Sequence, residues 1–380
     1  MENSGAWPTL YGKMFPSQKS VAVLVLLSSA LLVTRIHASV VAAWGYNSAG
    51  QTTVPPSLTN ATALAGGAYH SLALRADGTV AAWGDNSAGQ TNVPANATNV
   101  SAISAGWLHS LALRSNGTVI AWGDNTYGQT SAPVGISFAA IAAGWLHNLA
   151  LTSNGNVIAW GDNGWGQTTI PASATNVVAI AAGQMHSLAL RADGTVVAWG
   201  NNFYGQTNVP LNLTNLAAIA CGAFHSLALA SNGVLVAWGD NALGQTNLPA
   251  NFTNASRLAA GGAHGLTVNS TSLVAWGNNF YNQTNAPFAW TNVLALAAGS
   301  YHSLALLPVP TLAFAPPQLG ATGLQLQLNG AAGVAPVVIY ATTNFSDWQV
   351  VFTNPPSVGA INFVVSATNS PRRFYRAQSP

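Results

Sequence analysis

Residues 177–210 read VVAIAAGQMHSLALRADGTVVAWGNNFYGQTNVP. Val177–Ala182 is a short apolar run that stops at Gly183, and His186–Leu190 alternates in the manner of a strand with one face buried. Asp193-Gly194 is a strong hairpin signal because a glycine there accepts a left-handed backbone. Thr195–Trp199 then returns as a third strand. The loop Asn201–Thr207 leads to Pro210 and leaves room for a short outer strand.

The same wording recurs along most of the chain. Tryptophan in Ala-Trp-Gly falls at 44, 83, 122, 160, 199, 238 and 276, at spacings of 38 or 39 residues. A histidine follows each tryptophan by 25 or 26 residues, at 70, 109, 147, 186, 225, 264 and 302. A glutamine recurs in phase at 51, 90, 129, 167, 206, 245 and 283. A unit of three or four antiparallel strands repeated seven times predicts an all-β fold, a seven-bladed β-propeller. The Ala-Ala-Gly runs fit innermost strands crowded around an axis, with tryptophans and Leu-Ala-Leu segments filling the space between blades. Val40–Trp44 reads as a third strand and His302–Leu306 as a second strand. Pairing the two completes the seventh blade and removes exposed sheet edges.

Outward from the repeats, residues 1–38 read as a signal peptide. Lys13 and Lys19 precede a 13-residue apolar core, Val21–Val33, with a cleavage site after Ala38 and Met14 as an alternative start. Thirteen apolar residues are short for a bilayer span, so a cleaved signal is expected over a permanent anchor, with no stable membrane span after cleavage. Residues 39–310 form the propeller, and 311–380 a small C-terminal β domain with strands at Gly323–Leu328, Pro336–Tyr340, Trp348–Phe352 and Ile361–Val365. Arg372, Arg373 and Arg376 cluster near its end, as a contact site or a solvated terminus. The chain is 49% hydrophobic and only 5% charged, too apolar for disorder. Beyond residue 38 it holds seven Arg and seven Asp and no Lys or Glu, which disfavours nucleic acid as a partner.

Segments such as Ala182–Leu190 and Ala198–Thr207 resemble the regulator-of-chromosome-condensation repeat family, over about residues 40–307. The Ala-Trp-Gly…Gly-Gln-Thr…Val-Pro wording looks most like a secreted bacterial branch that includes a β-lactamase inhibitor. The resemblance implies a seven-bladed propeller, and for that branch a loop face that contacts a protein. The plant UV-B photoreceptor of the family uses Gly-Trp-Arg-His-Thr turns, whereas Gly106–Ser110 and Gly144–Asn148 here keep the Trp and lack the Arg, which lowers the photosensing reading.

No chemistry stands out among the polar residues. The seven histidines lack zinc-type spacing, no cysteine pair accompanies them, and the lone Cys221 replaces an Ala of the repeat. Each histidine is expected to bond its own blade's backbone. Asp77 and Asp193 sit in hairpins; Asp85, Asp124, Asp162 and Asp240 share a repeat position with Asn201 and Asn278, as turn caps would. Neither a cofactor nor a metal is implied, and an enzyme is the third choice.

The variable positions are more informative. Antiparallel strands place the Gly-x-x-His turn and the loop after Trp-Gly at one face, and the hairpins at the other. On the first face the turns offer Tyr69, Trp107, Trp145, Met185, Phe224 and Tyr301. The longer loops add Tyr46, Tyr127, Trp165, Phe203, Tyr204, Phe280 and Tyr281. Aromatic rings dominate binding hot spots, so this rim is the candidate binding surface, against the alternative that the rings pack on one another. The expected function is that of a secreted or envelope protein whose aromatic face binds a protein or cell-surface partner. A glycan-binding or structural surface protein and an inhibitor of the β-lactamase type are the alternatives.

Overall fold

The computed structural model describes residues 39–308, except 251–253, 270–271, 288–289 and 291, and beyond them 313–314, 318–320, 323–332, 337–342, 349–355, 358–365 and 374–378. Residues 1–38, and the boundary drawn between 310 and 311, lie outside the described residues.

Seven three-stranded antiparallel sheets follow one another as blades. Blades 1 to 6 span Ala61–Gly84, Val100–Gly123, Phe138–Gly161, Val177–Gly200, Leu216–Gly239 and Arg257–Gly277. Within each, the strand that begins with histidine lies between the other two. Blade 4 is typical: His186 stands opposite Gly200, Ser187 opposite Trp199 and Leu188 opposite Ala198. Blade 7 takes its first two strands, Ala295–Ala298 and His302–Pro308, from the end of the array, and its third, Ser39–Gly45, from the beginning. The register Val40–Leu307, Trp44–Ser303 and Gly45–His302 is the closure that the two half-blades predict.

A ring of main-chain hydrogen bonds runs around the axis. The N–H after each inner glycine donates to the next blade: Trp107 to Trp145 O, Trp145 to Gly183 O, Gln184 to Ala223 O and Ala223 to Gly262 O. Gly262 reaches Ser300 O, Ser300 reaches Gly67 O at 3.1 Å, and Ala68 reaches Gly106 O. The array therefore closes on itself and is not an open solenoid.

No outer fourth strand forms among the described residues. The proline that ends each loop has no N–H to give a ladder. It starts a turn instead, as where Leu58 N–H returns to Pro55 O at 2.9 Å and Ala97 N–H to Pro94 O at 2.9 Å. Left-handed asparagines follow at Asn60, Asn99 and Asn176. The hairpins form as expected but carry a longer loop: Arg75 N–H bonds Thr79 O, with Gly78 at φ 77° between them.

The core lies between blades. Leu188 and Leu190 of blade 4 pack with Ala228 and Trp238 of blade 5, and Leu149 and Leu151 of blade 3 with Ala189 and Trp199 of blade 4. Leu266 and Val268 of blade 6 meet Ala305 and Trp44 of blade 7, so the latch strand is held by the same packing as the rest. Burying a leucine contributes roughly 1.5–3 kcal/mol and a tryptophan more, which makes these contacts the main stabilisation.

Beyond Pro308 the described strands form two sheets. Gly323–Ala332 pairs with Ala313–Phe314, Gln318–Gly320 and Val358–Val365; Val337–Thr342 pairs with Gln349–Asn354 and Phe374–Gln378. Arg376 stands in that last strand opposite Tyr340; Arg372 and Arg373 lie outside the described residues.

Candidate binding face

The two loop types of each blade meet at one end. Asp85 N–H bonds Tyr69 O at 2.8 Å, and Asp124–Leu108, Asp162–Leu146, Asn201–Met185, Asp240–Phe224, Asn278–Ala263 and Tyr46–Tyr301 repeat this main-chain bond. Every variable turn is thereby fastened to the variable loop of its own blade.

Beneath them lies a buried polar belt. Six of the seven Gln carbonyls at the feet of the loops are hubs, Gln245 O accepting from Trp276 alone: Gln206 O accepts from Ser226 Oγ at 2.8 Å and from Trp238 Nε1 at 2.9 Å. Ser226 Oγ in turn stands 3.0 Å from His186 Nε2 of the preceding blade. The same relay joins His70 to Ser110, His147 to Ser187, His264 to Ser303 and His302 to Ser71, and His109 to Asn148 Oδ1 at 2.7 Å. The histidines therefore bond the next blade's side chain, not their own backbone as expected from the sequence. An amide oxygen only accepts, so His109 carries its proton on Nε2, and a serine already donating to a carbonyl imposes the same tautomer elsewhere. His225 is the exception. Gly265 replaces the serine, Trp276 crowds the space of the absent side chain, and neither ring nitrogen of His225 has a partner.

Burial keeps the belt neutral. It lowers His70, His147, His186, His264 and His302 from the ordinary 6.5 to about 3, and His109 and His225 to about 4. Among the described residues no group of three or more His, Cys, Asp or Glu is arranged to hold a metal. Cys221 lines the central cavity, and burial raises its thiol pKa well above the usual value.

The loops above are held by a glutamine–carboxylate clip. Gln90, Gln129, Gln167 and Gln245 donate from Nε2 to Asp85, Asp124, Asp162 and Asp240 at 2.6–2.7 Å, and their Oε1 atoms accept a loop N–H. Asn201 does the same for Gln206 at 2.9 Å, so turn capping explains why Asn replaces Asp. Tyr46 occupies this position in blade 7, and Gln51 Nε2 is left without a partner.

The rigid loops carry the aromatic residues in two populations. Phe280 and Phe203 are 81% and 80% exposed, Trp165 55%, Tyr127 52% and Tyr204 47%. Tyr69, Trp107, Trp145, Met185, Phe224, Tyr281 and Tyr301 are half-buried. Trp107 and Trp145 pack at 4.4 Å between centroids, and Tyr204 lies 5.1 Å from Phe224. Tyr46, Tyr69, Tyr281 and Tyr301 form one cluster across blades 6, 7 and 1, with Tyr46–Tyr281 at 4.5 Å and Tyr69–Tyr301 stacked at 5.6 Å. Sequence reasoning treated the rings as one set. The Gln hub and the His–Ser relay escaped it, although the recurring His-Ser dipeptide was a visible signal.

Seven blades, a latch and loop-borne side chains above an inert polar belt define a closed β-propeller of the kind that commonly binds proteins. The chain carries regulator of chromosome condensation (RCC1) repeats, matched at residues 61–90, 100–129, 138–167, 177–206 and 217–245. No curated protein matches the chain. Among solved structures, Prp20p from Saccharomyces cerevisiae is 20% identical, with 72% of this chain and 92% of that chain covered at a TM-score of 0.61. Human WBSCR16 is 20% identical over 70% and 98% of the two chains, with a TM-score of 0.58. The ectodomain of the Physcomitrella patens receptor kinase CR4 is 22% identical over 67% and 75%, at 0.53. At these identities the likeness is one of fold.

Proposed function

We propose that this chain is an exported, non-catalytic propeller whose aromatic loop face recognises a protein or another cell-surface component. The exposure of Phe203, Phe280, Trp165 and Tyr127 at clipped, rigid loop tips carries the reading. Aromatic rings held in advance lose little entropy on binding, and central ones are worth roughly 2 kcal/mol or more each. The export-type segment at residues 1–38 supports a location outside the cytoplasm. A relative in fold, Prp20p, was described for its binding properties to Gsp1p and histones, so propellers of this family serve as platforms for other proteins.

Affinity capture from culture medium and envelope extract, with the wild type and with a Trp165→Ala/Phe203→Ala/Phe280→Ala variant, tests the reading. The expected outcome is a partner held by the wild type and lost by the variant, with a Tm shift below about 3 °C. Retention by the variant at wild-type strength would falsify the proposal.

A further inference from the structure

Blade 7 departs from the repeat where the ring closes. In the other six blades the residue after Trp-Gly is Asp or Asn, and its side chain caps the loop that follows. In blade 7 it is Tyr46, and Gln51 Nε2 is left without a partner. Tyr46 instead contacts Tyr69 of blade 1, Tyr281 of blade 6 and Tyr301 of its own blade. The Tyr46–Tyr281 pair is the tightest, with ring centroids 4.5 Å apart and planes inclined by 55°. Both residues are half-buried, so small reagents reach them.

These two phenols come from opposite sides of the closure. Tyr46 follows Ser39–Gly45, the strand that opens the array, and Tyr281 follows Leu273–Gly277 of blade 6. Between them the joint is held by the Ser39–Gly45 ladder and by packing of Trp44 on blade 6. A disulfide cannot reinforce it, because Cys221 is the sole cysteine. A tyrosine that loses one electron and one proton becomes a phenoxyl radical with spin on its ortho carbons. Two such rings held in contact couple readily, since their encounter is already arranged.

We propose that Tyr46 and Tyr281 are an oxidative cross-linking site, joined through their ortho carbons so that the ring is closed covalently. A haem peroxidase with hydrogen peroxide is the class of oxidant. It removes one electron and one proton from each phenol, and the peroxide becomes two waters. The radicals form one Cε–Cε bond, and each displaced ortho hydrogen moves to its own phenol oxygen. Tyr204, on the same face, meets Phe203 at 5.0 Å and Phe224 at 5.1 Å, rings without a hydroxyl to oxidise. The cross-link is independent of whether the face binds a partner.

Dilute full chain treated with a haem peroxidase and stoichiometric hydrogen peroxide provides the test. A monomer that has lost two hydrogens and gained dityrosine fluorescence is expected, with the Tyr46 and Tyr281 peptides linked after proteolysis. The bond closes a loop spanning most of the array, so Tm should rise by at least about 5 °C. Tyr46→Phe and Tyr281→Phe keep the ring packing without the phenol, and each should abolish both the link and the gain in Tm. Oxidation that yields no link within the monomer, a main link at another pair, a linked chain with unchanged Tm, or an equal gain in Tyr46→Phe overturns the proposal.

Discussion

His186, Ser226, Gln206 and Trp238 fill the seam between blades 4 and 5, while Phe203 and Tyr204 project from the very loop that Gln206 anchors. The seam and the loop tip are neighbours in sequence under opposite constraints. In the seam the His186 Nε2, Ser226 Oγ, Gln206 O and Trp238 Nε1 atoms are bonded to one another across the blades, so a change on one side leaves a buried group unsatisfied on the other. At the tip the loop conformation is set by Asn201 and Gln206, and the intervening side chains are free to differ. Identity is conserved between blades where side chains partner one another and lost at the exposed tips.

Acid should break the seam first. All seven belt histidines have folded pKa values near 3 or 4, below the unfolded value near 6.5. Above pH 6.5 both states are neutral and the histidines leave stability unchanged. As pH falls through 6.5 toward 4 the unfolded chain takes up protons that the native belt refuses, so stability falls. Where the unfolded histidines are protonated and the folded ones are not, each removes about 1.4 kcal/mol per pH unit, and seven together about 10 kcal/mol per unit. Tryptophan fluorescence should show a steep unfolding transition between about pH 4.5 and 6, and a native fold persisting below pH 3 would refute a neutral belt.

Trp238→Ala removes the blade 4–5 wedge and one donor to Gln206 O, and should cost about 3–5 kcal/mol in chemical denaturation. A sharper contrast lies within the belt. His186→Leu breaks a relay and should cost about 1–3 kcal/mol, whereas His225→Leu removes a ring whose nitrogens have no partner and should cost less than about 1 kcal/mol or stabilise. Equal losses would mean that ring packing, not the Ser226 bond, sets the value of these histidines. At the rim, Phe203→Ser should change stability by no more than about 0.5 kcal/mol, since the ring is 80% exposed.

The repeat made the blades, the latch and the pairing of turn with loop legible, because each depends on contacts inside a 39-residue unit or on its phase. What escaped has its partner a whole unit away. His70 meets Ser110 40 residues on, and Trp83 meets the Gln51 carbonyl 32 residues back. A repeat read as an isolated module assigns such groups to their own blade, and that misplaced the histidines. Of the three or four strands per unit that the sequence allowed, three form among the described residues, because the recurring Pro begins a turn where an outer strand would start. The aromatic rim was legible as composition, but its division into packed and projecting rings depends on which blades are adjacent, as for Tyr46 and Tyr281 from opposite ends of the chain.

Ser39–Gly45 leaves the ribosome first among the propeller strands, and its partner His302–Pro308 last. At about 5–20 residues per second the opening strand waits roughly 13–50 s for its mate. During that interval SVVAAWG is an unpaired apolar segment, open to chaperones and proteases alike. The ring closes only when the last repeat docks on the first.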